Sequence, residues 1–572
     1  MNQPQISAGS KELRAALATV KTHFFYAGFF SAAINLLHLV PILYMLQVYD
    51  RVLSSGSYST LGTLTALMVL MLVAMGGFEW VRSYILVAAS NKIELTLRDR
   101  VFNATFMLSL TGGNKQGAQP ISDLIGLRQF MTGNGVFAFF DAPWFPVYVG
   151  VMFMFHFWFG VSAMVAGIIM VLLAIVNEKV TNDKMKEANT QASLSSARLN
   201  SSLRNAEVIE AMGMTESVRR NLQQQSESVL LLQTDASKMA GALTSFSKIF
   251  RMIVQSLMIA LGALLALNQE ISPGSLIAGS MLLGRALGPI DMLVGTWKGF
   301  SVARAQYDRL SRLLDQLPAD APRMQLPAPV GELSVENIMV APPGTRTPVL
   351  KGVSFQLAAG EALGIIGPSA SGKSTLARAI LGLWPAMSGK VRLDGADITA
   401  WNRTDLGPHI GYLPQDIELF DGSISDNICR FGEADPEKIV AAARLAGVHD
   451  LILRQPNGYD TVIGGTGGVL SGGQRQRIGL ARAIYGAPKL IVLDEPNSNL
   501  DDQGERELVA AINRIKQNGC TVVIISHRTM VLSSVDKLLV LKEGVSLAFG
   551  PRDQVLNALA QAQQPAVAAG AA

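Results

Sequence analysis

The sequence predicts a membrane α-helical domain of six spans fused to an α/β phosphate-loop domain. Three observations carry this. Hydrophobic residues make up 49 % of the chain and charged ones only 16 %, with a mean hydropathy of +0.30, whereas ordinary soluble domains are ~25 % charged. Long, strongly apolar charge-free runs recur before Lys298 and not after it. Further on, Gly367-Pro-Ser-Ala-Ser-Gly-Lys-Ser-Thr375 stands between an apolar run, Ala362 to Ile366, and a helix-prone segment, Leu376 to Leu381. Strand, glycine loop and helix are the context that a G-x-x-x-x-G-K-S phosphate loop requires.

Taken in order, residues 1–21 form a weakly basic, cytoplasmic lead (Lys11, Arg14 and Lys21 against Glu12) with no signal-peptide pattern. Phe24 to Val48 has no charge and is long enough to span a bilayer, with Pro41 marking a kink. A polar turn, Asp50 to Ser59, overlaps the start of a second charge-free run, Val52 to Phe78. Charges then return from Glu79 to Asn114 at spacings that suit a long amphipathic helix leaving the membrane. The segment Gln119 to Leu127 reads as a short helix in that loop. Ala142 to Asn177, at about 36 residues, suits two spans with a break near His156 to Gly160. A second polar helical region covers Glu178 to Lys248, and the last spans are Phe250 to Leu267 and Ser275 to Trp297. The two long loops hold nearly all the Lys and Arg of this half, while the three short ones hold only Arg51. That asymmetry places the long loops and both termini in the cytoplasm.

Arg285 and Asp291 lie in the sixth span, which Gly288-Pro289 is expected to interrupt. Ionisable groups there either line an aqueous path or pair structurally. A proline-rich linker, residues 317–329, precedes alternating β-branched runs and amphipathic helices over 330–560, the signature of a largely parallel sheet. Residues 561–572 are Ala/Gln/Pro-rich and read as a disordered tail. Residues 22–316 thus form the transmembrane domain. A net charge of +4 does not single out nucleic acid as a partner, and two cysteines, Cys429 and Cys520, argue against a disulfide framework.

In the phosphate loop, backbone N–H groups and a helix N-terminus would close on the phosphates of ATP. Gly367, Pro368, Ser369, Ala370, Ser371, Gly372, Lys373, Ser374 and Thr375 form the cradle. Lys373 would reach the β- and γ-phosphates, and Ser374 would offer its hydroxyl to Mg²⁺. Leu490-Ile-Val-Leu-Asp-Glu-Pro496 is an apolar strand ending in two carboxylates. Asp494 there would hold Mg²⁺, and Glu495 would polarise water for in-line attack on the γ-phosphate.

Between these motifs lies Val469-Leu-Ser-Gly-Gly-Gln-Arg-Gln476, whose LSGGQ resembles the signature of ATP-binding-cassette ATPases. That resemblance implies a site shared between two protomers. Ser471, Gly472, Gly473 and Gln474 of one copy would close on ATP held by the other. It also identifies Gln415 in Tyr412-Leu-Pro-Gln-Asp416 with the Q-loop glutamine, touching Mg²⁺ and the attacking water. Asp501 in Ser498-Asn-Leu-Asp501 is similar to the D-loop aspartate, and His527 to the switch histidine. The whole chain resembles a half-size ABC exporter acting as a homodimer, with coupling helices expected near Gln119–Leu127 and Ala211–Ser217. Two departures stand out. Asn337 to Gly344 offers no aromatic for adenine, leaving Val340 or Pro342 to pack there. Gly465 stands where exporters carry an X-loop glutamate.

Pro120-Ile-Ser-Asp-Leu-Ile, Asp141-Ala-Pro-Trp-Phe-Pro146, Glu210-Ala-Met-Gly-Met214 and Ala341-Pro-Pro-Gly344 resemble the PrtD-type branch of type I secretion transporters. The resemblance implies export of an unfolded protein with a C-terminal signal from the inner membrane. It also implies a membrane fusion adaptor and a TolC-like outer-membrane channel. Two alternatives share the architecture: an exporter of lipids or small amphipathic molecules, and a membrane-anchored ATPase with a regulatory role.

Overall fold

The computed structural model describes residues 8–110, 117–317, 325–464 and 470–563. It divides into two compact units, the first ending at Ala319 and the second beginning at Asp320.

The first unit is helical, and among the described residues six helical stretches are long and apolar enough to cross a membrane. Helix α1 (Ala8–Ala18) leads into α2 (Lys21–Leu37) and α3 (Val40–Gln47). Pro41 sits in the first turn of α3, where its missing N–H is no loss, so the break falls at His38–Leu39. A π-helical turn (Val48–Val52) and α4 (Leu53–Ser55) end at Gly56 with φ +63°, and α5 (Tyr58–Leu110) runs back without a break. After α6 (Gln119–Thr132) and α7 (Asn134–Asp141), α8 (Phe145–Phe155) and α9 (Phe157–Arg204) form the second hairpin. His156 between them is extended, at φ −164° and ψ 143°, where the sequence places the break. The last pair is α11 (Thr215–Leu267) and α12 (Pro273–Gln316).

Two local expectations shift. Pro289 lies inside a continuous α12 rather than interrupting it. Neighbouring helices in a bundle can absorb the freed backbone groups, and Ala286, Leu287 and Ile290 around it are buried. The short helix of the second long loop is α10 (Ala206–Ala211), a few residues before the expected Ala211–Ser217. A turn with Gly213 at φ +63° closes it.

The buried charges among the described residues of this unit, Arg82, Glu94 and Asp123, are paired, as a low-dielectric interior requires. Arg82 Nη1 meets Asp141 Oδ1 at 3.0 Å, Asn35 donates to the same oxygen at 2.9 Å, and the Arg82 guanidinium lies 4.5 Å from the Phe137 ring centre. The short connections are tied as well. Asp50 accepts from the Ser272 hydroxyl at 2.6 Å and from Gly274 N–H at 2.9 Å, capping α12. His156 meets Glu270 at 3.1 Å. At the other end, the weakly basic lead forms a helix over Ala8–Ala18. Leu13, Ala16 and Val20 pack with Ile93, Leu97 and Val101 of α5 and with Leu310, Leu313 and Leu314 of α12. Helix α6 is pinned by Asp123, 1 % exposed, which accepts from Arg309 Nε and Nη2, both at 2.7 Å.

The second unit is α/β. Its six-stranded sheet has the order β12-β11-β3-β10-β9-β6, built from β3 (Ala362–Ile366), β6 (Ile410–Leu413), β9 (Leu490–Asp494), β10 (Thr521–Ile525), β11 (Lys537–Lys542) and β12 (Val545–Pro551). All neighbours are parallel except β11 and β12. Both faces of β9 and β10 are covered, and all ten of their residues are buried. Hence these strands read as continuous apolar runs rather than alternating ones. Ile491, Leu493, Val522 and Ile524 enter one core layer, while Leu490, Val492, Val523 and Ile525 enter the other. A four-stranded antiparallel sheet, β2-β1-β4-β5, joins β1 (Leu333–Val340), β2 (Leu350–Leu357), β4 (Ser388–Leu393) and β5 (Ala396–Asp397), and β7 (Gly422–Ser423) pairs with β8 (Val462–Ile463).

Candidate nucleotide site

Parallel register puts the chemistry on one edge of the six-stranded sheet. Leu413 of β6 pairs with Leu493 of β9, Ile525 of β10 pairs with Asp494 of β9, and Ile525 also pairs with Ile365 of β3. The residues just past these strand ends are Gln415, Glu495, His527 and Gly367. Ligands in open α/β sheets bind at that carboxyl edge.

The phosphate loop follows β3 and leads into a helix, Lys373–Ile380. Gly367 (φ +155°) and Gly372 (φ +100°) occupy backbone conformations that side chains resist, and a Cβ on Gly367 would sit 2.1 Å from Leu541 O. Pro368, Ser369 and Ala370 are exposed, whereas Ser371, Lys373 and Thr375 are buried. The Lys373 ammonium folds onto Gly367 O at 2.7 Å and Pro368 O at 3.0 Å, carbonyls that stand where a polyanion would compete. Burial holds its pKa below the usual amine value, with Glu495 and Asp494 pulling the other way. A phosphate would relieve that desolvation.

Asp494 ends β9 at 3 % exposure, and its Oδ1 is buried without a hydrogen-bond partner. Burial raises its pKa, although a hydrogen bond with the Ser374 side chain acts the other way. An orphaned carboxylate oxygen beside a hydroxyl is the hard-oxygen donor set that Mg²⁺ shares with nucleotide phosphates. Glu495, next in the chain, has φ +49°, and its N–H donates to Ile525 O at 2.9 Å. Its Oε2 accepts from Gln415 Nε2 at 3.1 Å. His527 is exposed beyond Ser526, which donates to Asn497 Oδ1 at 3.0 Å.

The signature forms the start of the helix Gly472–Ile484. Ser471 caps it reciprocally: its Oγ accepts from Gln474 N at 3.3 Å, and Gln474 Oε1 accepts from Ser471 N at 2.8 Å. Gly473 is needed because the backbone of Asn499 crosses this end, and a Cβ on Gly473 would sit 2.9 Å from Asn499 O, whereas one on Gly472 would come no nearer than 3.4 Å to the Asn499 side chain. Asp501 caps the following helix through Gly504 N at 2.8 Å and is largely exposed. Of the two residues expected to pack on adenine, Val340 is 0 % exposed and cannot face a base, while Pro342 is half-buried and accessible. Gly465 lies outside the described residues.

Two residues escape the motif reading. Gln476, 1 % exposed, donates to Glu495 O at 3.3 Å and accepts from Asn499 N at 3.0 Å, fastening the signature helix to the segment that follows β9. Arg430, left-handed at φ +59°, spends its guanidinium on backbone carbonyls. It donates to Arg482, Ala483 and Tyr485 at the end of the signature helix, at 3.0, 3.1 and 3.3 Å. It also donates to Gly407 at 2.9 Å and Ile410 at 3.0 Å, at the start of the strand leading to Gln415. A cation on the unpaired carbonyls of a helix C-terminus is favourable. Here it also joins the two elements that carry Ser471 and Gln415.

Comparison with known proteins agrees with this arrangement. Residues 350–498 match the family described as ABC transporter, and residues 24–290 match the ABC transporter transmembrane region. The chain is 46 % identical to the type I secretion system ATP-binding protein PrsD of Rhizobium meliloti, covering 96 % of this chain and 95 % of that one. It is 28 % identical to the cyclolysin secretion/processing ATP-binding protein CyaB of Bordetella pertussis, covering 92 % of this chain and 75 % of that one. In fold it is similar to a bacterial Atm1-family ABC exporter with ATP bound, with a TM-score of 0.82 at 23 % identity, covering 97 % of this chain and 100 % of that one.

Proposed function

The chain belongs to the ABC transporter family, and we propose that it is the ATP-hydrolysing, membrane-spanning component of a type I secretion system that exports an unfolded protein. The observation that carries this reading is the likeness to PrsD over nearly the full length of both chains, membrane and nucleotide parts together. The exported protein would carry a C-terminal signal. The location is the bacterial inner membrane, and a fusion adaptor and a TolC-like channel complete the route outward.

In this reading ATP lies along the carboxyl edge of the sheet, its phosphates in the loop Gly367–Thr375. Lys373 leaves its two carbonyls for the β- and γ-phosphates. Ser374, Asp494 and Gln415 would hold Mg²⁺, which would supply positive charge against the phosphate oxygens. Glu495 orients and polarises the attacking water, Gln415 steadies its carboxylate, and His527 reaches the γ-phosphate. Ser471, Gly472, Gly473 and Gln474 present a capped helix N-terminus to the ATP of a second copy, with Asp501 beside them, so the working unit is a homodimer.

The test is stimulation of ATP hydrolysis by the purified protein in lipid nanodiscs. A peptide carrying the C-terminal secretion signal stimulates hydrolysis under this proposal. Stimulation by phospholipid or small amphiphiles alone, with none by the peptide, would favour a lipid or small-molecule exporter.

A further inference from the structure

The structure separates the two ionisable residues of the sixth span. Asp291 is spent inside its own bundle: it meets Arg251 Nε at 3.3 Å and accepts from the Ser247 hydroxyl at 3.0 Å, both on α11. Arg285, six residues earlier, points elsewhere, since six residues turn an α-helix by about 240°. It is exposed, and among the described residues it makes no ion pair and no side-chain hydrogen bond.

Depth makes this costly on a lipid-facing surface. Arg285 lies twelve residues into α12 from Pro273, about 18 Å along the axis, within a hydrocarbon core about 30 Å thick. An unpaired guanidinium there faces water or a bundle interior rather than acyl chains. Its surroundings on α12 fit a water-lined wall. Arg285, Gly288, Met292, Gly295 and Gly299 recur at helical spacing, opposite the buried Ala286, Leu287, Ile290 and Val294. A Cβ on Gly288 or Gly295 would meet nothing within 4 Å. Tyr148, the nearby hydroxyl, is already committed to Asn35, at 2.9 Å to the side-chain oxygen and 3.0 Å to the backbone oxygen.

We propose that Arg285 is an anion-binding point on the export path, taking the side-chain carboxylates of an acidic polypeptide as it passes the glycine-lined face of α12. This rests on the protein-export reading. An extended chain can lie close to a helix surface that glycines keep free of side chains. A fork of guanidinium N–H groups then holds one carboxylate at a time through paired, charge-assisted hydrogen bonds. Because each contact is single and reversible, it biases entry without trapping the chain.

The test uses the full-length homodimer in nanodiscs and three soluble 20-residue probe peptides: Glu/Gly/Ser, Lys/Gly/Ser and Gly/Ser. ATP hydrolysis is measured against peptide concentration for wild type, Arg285→Lys, Arg285→Gln and Arg285→Glu. In wild type the acidic peptide reaches half-maximal stimulation at a concentration about tenfold below the neutral one, the scale of one charge-assisted contact. Arg285→Lys keeps most of that preference, Arg285→Gln abolishes it, and Arg285→Glu transfers it to the basic peptide. Basal hydrolysis stays unchanged in all four. Peptide stimulation that ignores residue 285 overturns the anion site and leaves the export reading standing. No stimulation by any of the three probes, where a peptide carrying the C-terminal secretion signal still stimulates, overturns the anion site alone; no stimulation by that signal peptide either overturns both. Loss of the dimer in Arg285→Gln with unaltered peptide preference also overturns the site, since Arg285 would then pair with a second copy.

Discussion

Gln415 donates its side-chain amide to Glu495 Oε2 at 3.1 Å, joining the residue two past β6 to the residue just past β9. A carboxylate that must polarise water gains direction from one fixed donor and keeps its other oxygen for the water. Gln415→Ala therefore lowers kcat by up to about 100-fold, the cost of a misplaced catalytic group. The Kd for ATP, set mainly by the phosphate loop, changes little. Single-turnover hydrolysis together with equilibrium ATP binding checks the split.

Asp494 carries a cost in the nucleotide-free fold. Burial raises its pKa, so the folded state binds this proton more tightly than the unfolded state does. The ionised form thus disfavours folding above the folded-state pKa, and the penalty vanishes as pH falls below the unfolded value. Asp494→Asn removes the penalty near neutral pH, and the nucleotide-free protein melts about 2–4 °C higher while Mg²⁺-dependent hydrolysis is lost. Wild-type hydrolysis, which needs the ionised form, declines on acidification from a higher pH than an unperturbed aspartate would give. Melting curves and a pH profile of kcat read both effects.

Arg430 holds five backbone carbonyls together. Methionine matches its length but leaves those acceptors without a charged donor, at a cost on the order of 3 kcal/mol. Lysine restores the charge without the fork. Arg430→Met and, more weakly, Arg430→Lys lower the melting temperature and ATP hydrolysis together. An unchanged melt for Arg430→Met contradicts this role.

Asp123, buried, and Arg309, half-buried, form a two-bond pair between α6 and α12. Removing the arginine leaves a buried carboxylate without its charged donor, at a cost on the order of 2 kcal/mol once solvent screening of the half-buried guanidinium is allowed for. Asp123→Asn and Arg309→Met are each destabilising, whereas the double variant Asp123→Leu/Arg309→Met recovers part of the loss. Thermal melts of the three proteins give the coupling directly.

Much of this was legible in the chain because its signals are local. A charge-free run, a glycine spacing and a strand ending in two acids depend on neighbours in sequence. The break at His156 and the carboxyl-edge cluster of Gln415, Glu495 and His527 follow from such patterns. What could not be read depends on distant backbone. Arg430 follows a short helix with no motif, and its five acceptors belong to residues 407–410 and 482–485. Val340 was a candidate for the base until its register in β1 placed it in the core. Arg285 and Asp291 looked equivalent in sequence, and only the packing of α11 against α12 tells them apart.

The central claim is that hydrolysis at Glu495 drives protein export. Cells expressing wild type or Glu495→Gln at equal membrane levels, with the same protein carrying a C-terminal secretion signal, are compared for that protein in the medium. Secretion falls at least about 100-fold in the variant, the scale of a lost general base, while the purified variant still binds ATP. Equal secretion by the two would contradict the account.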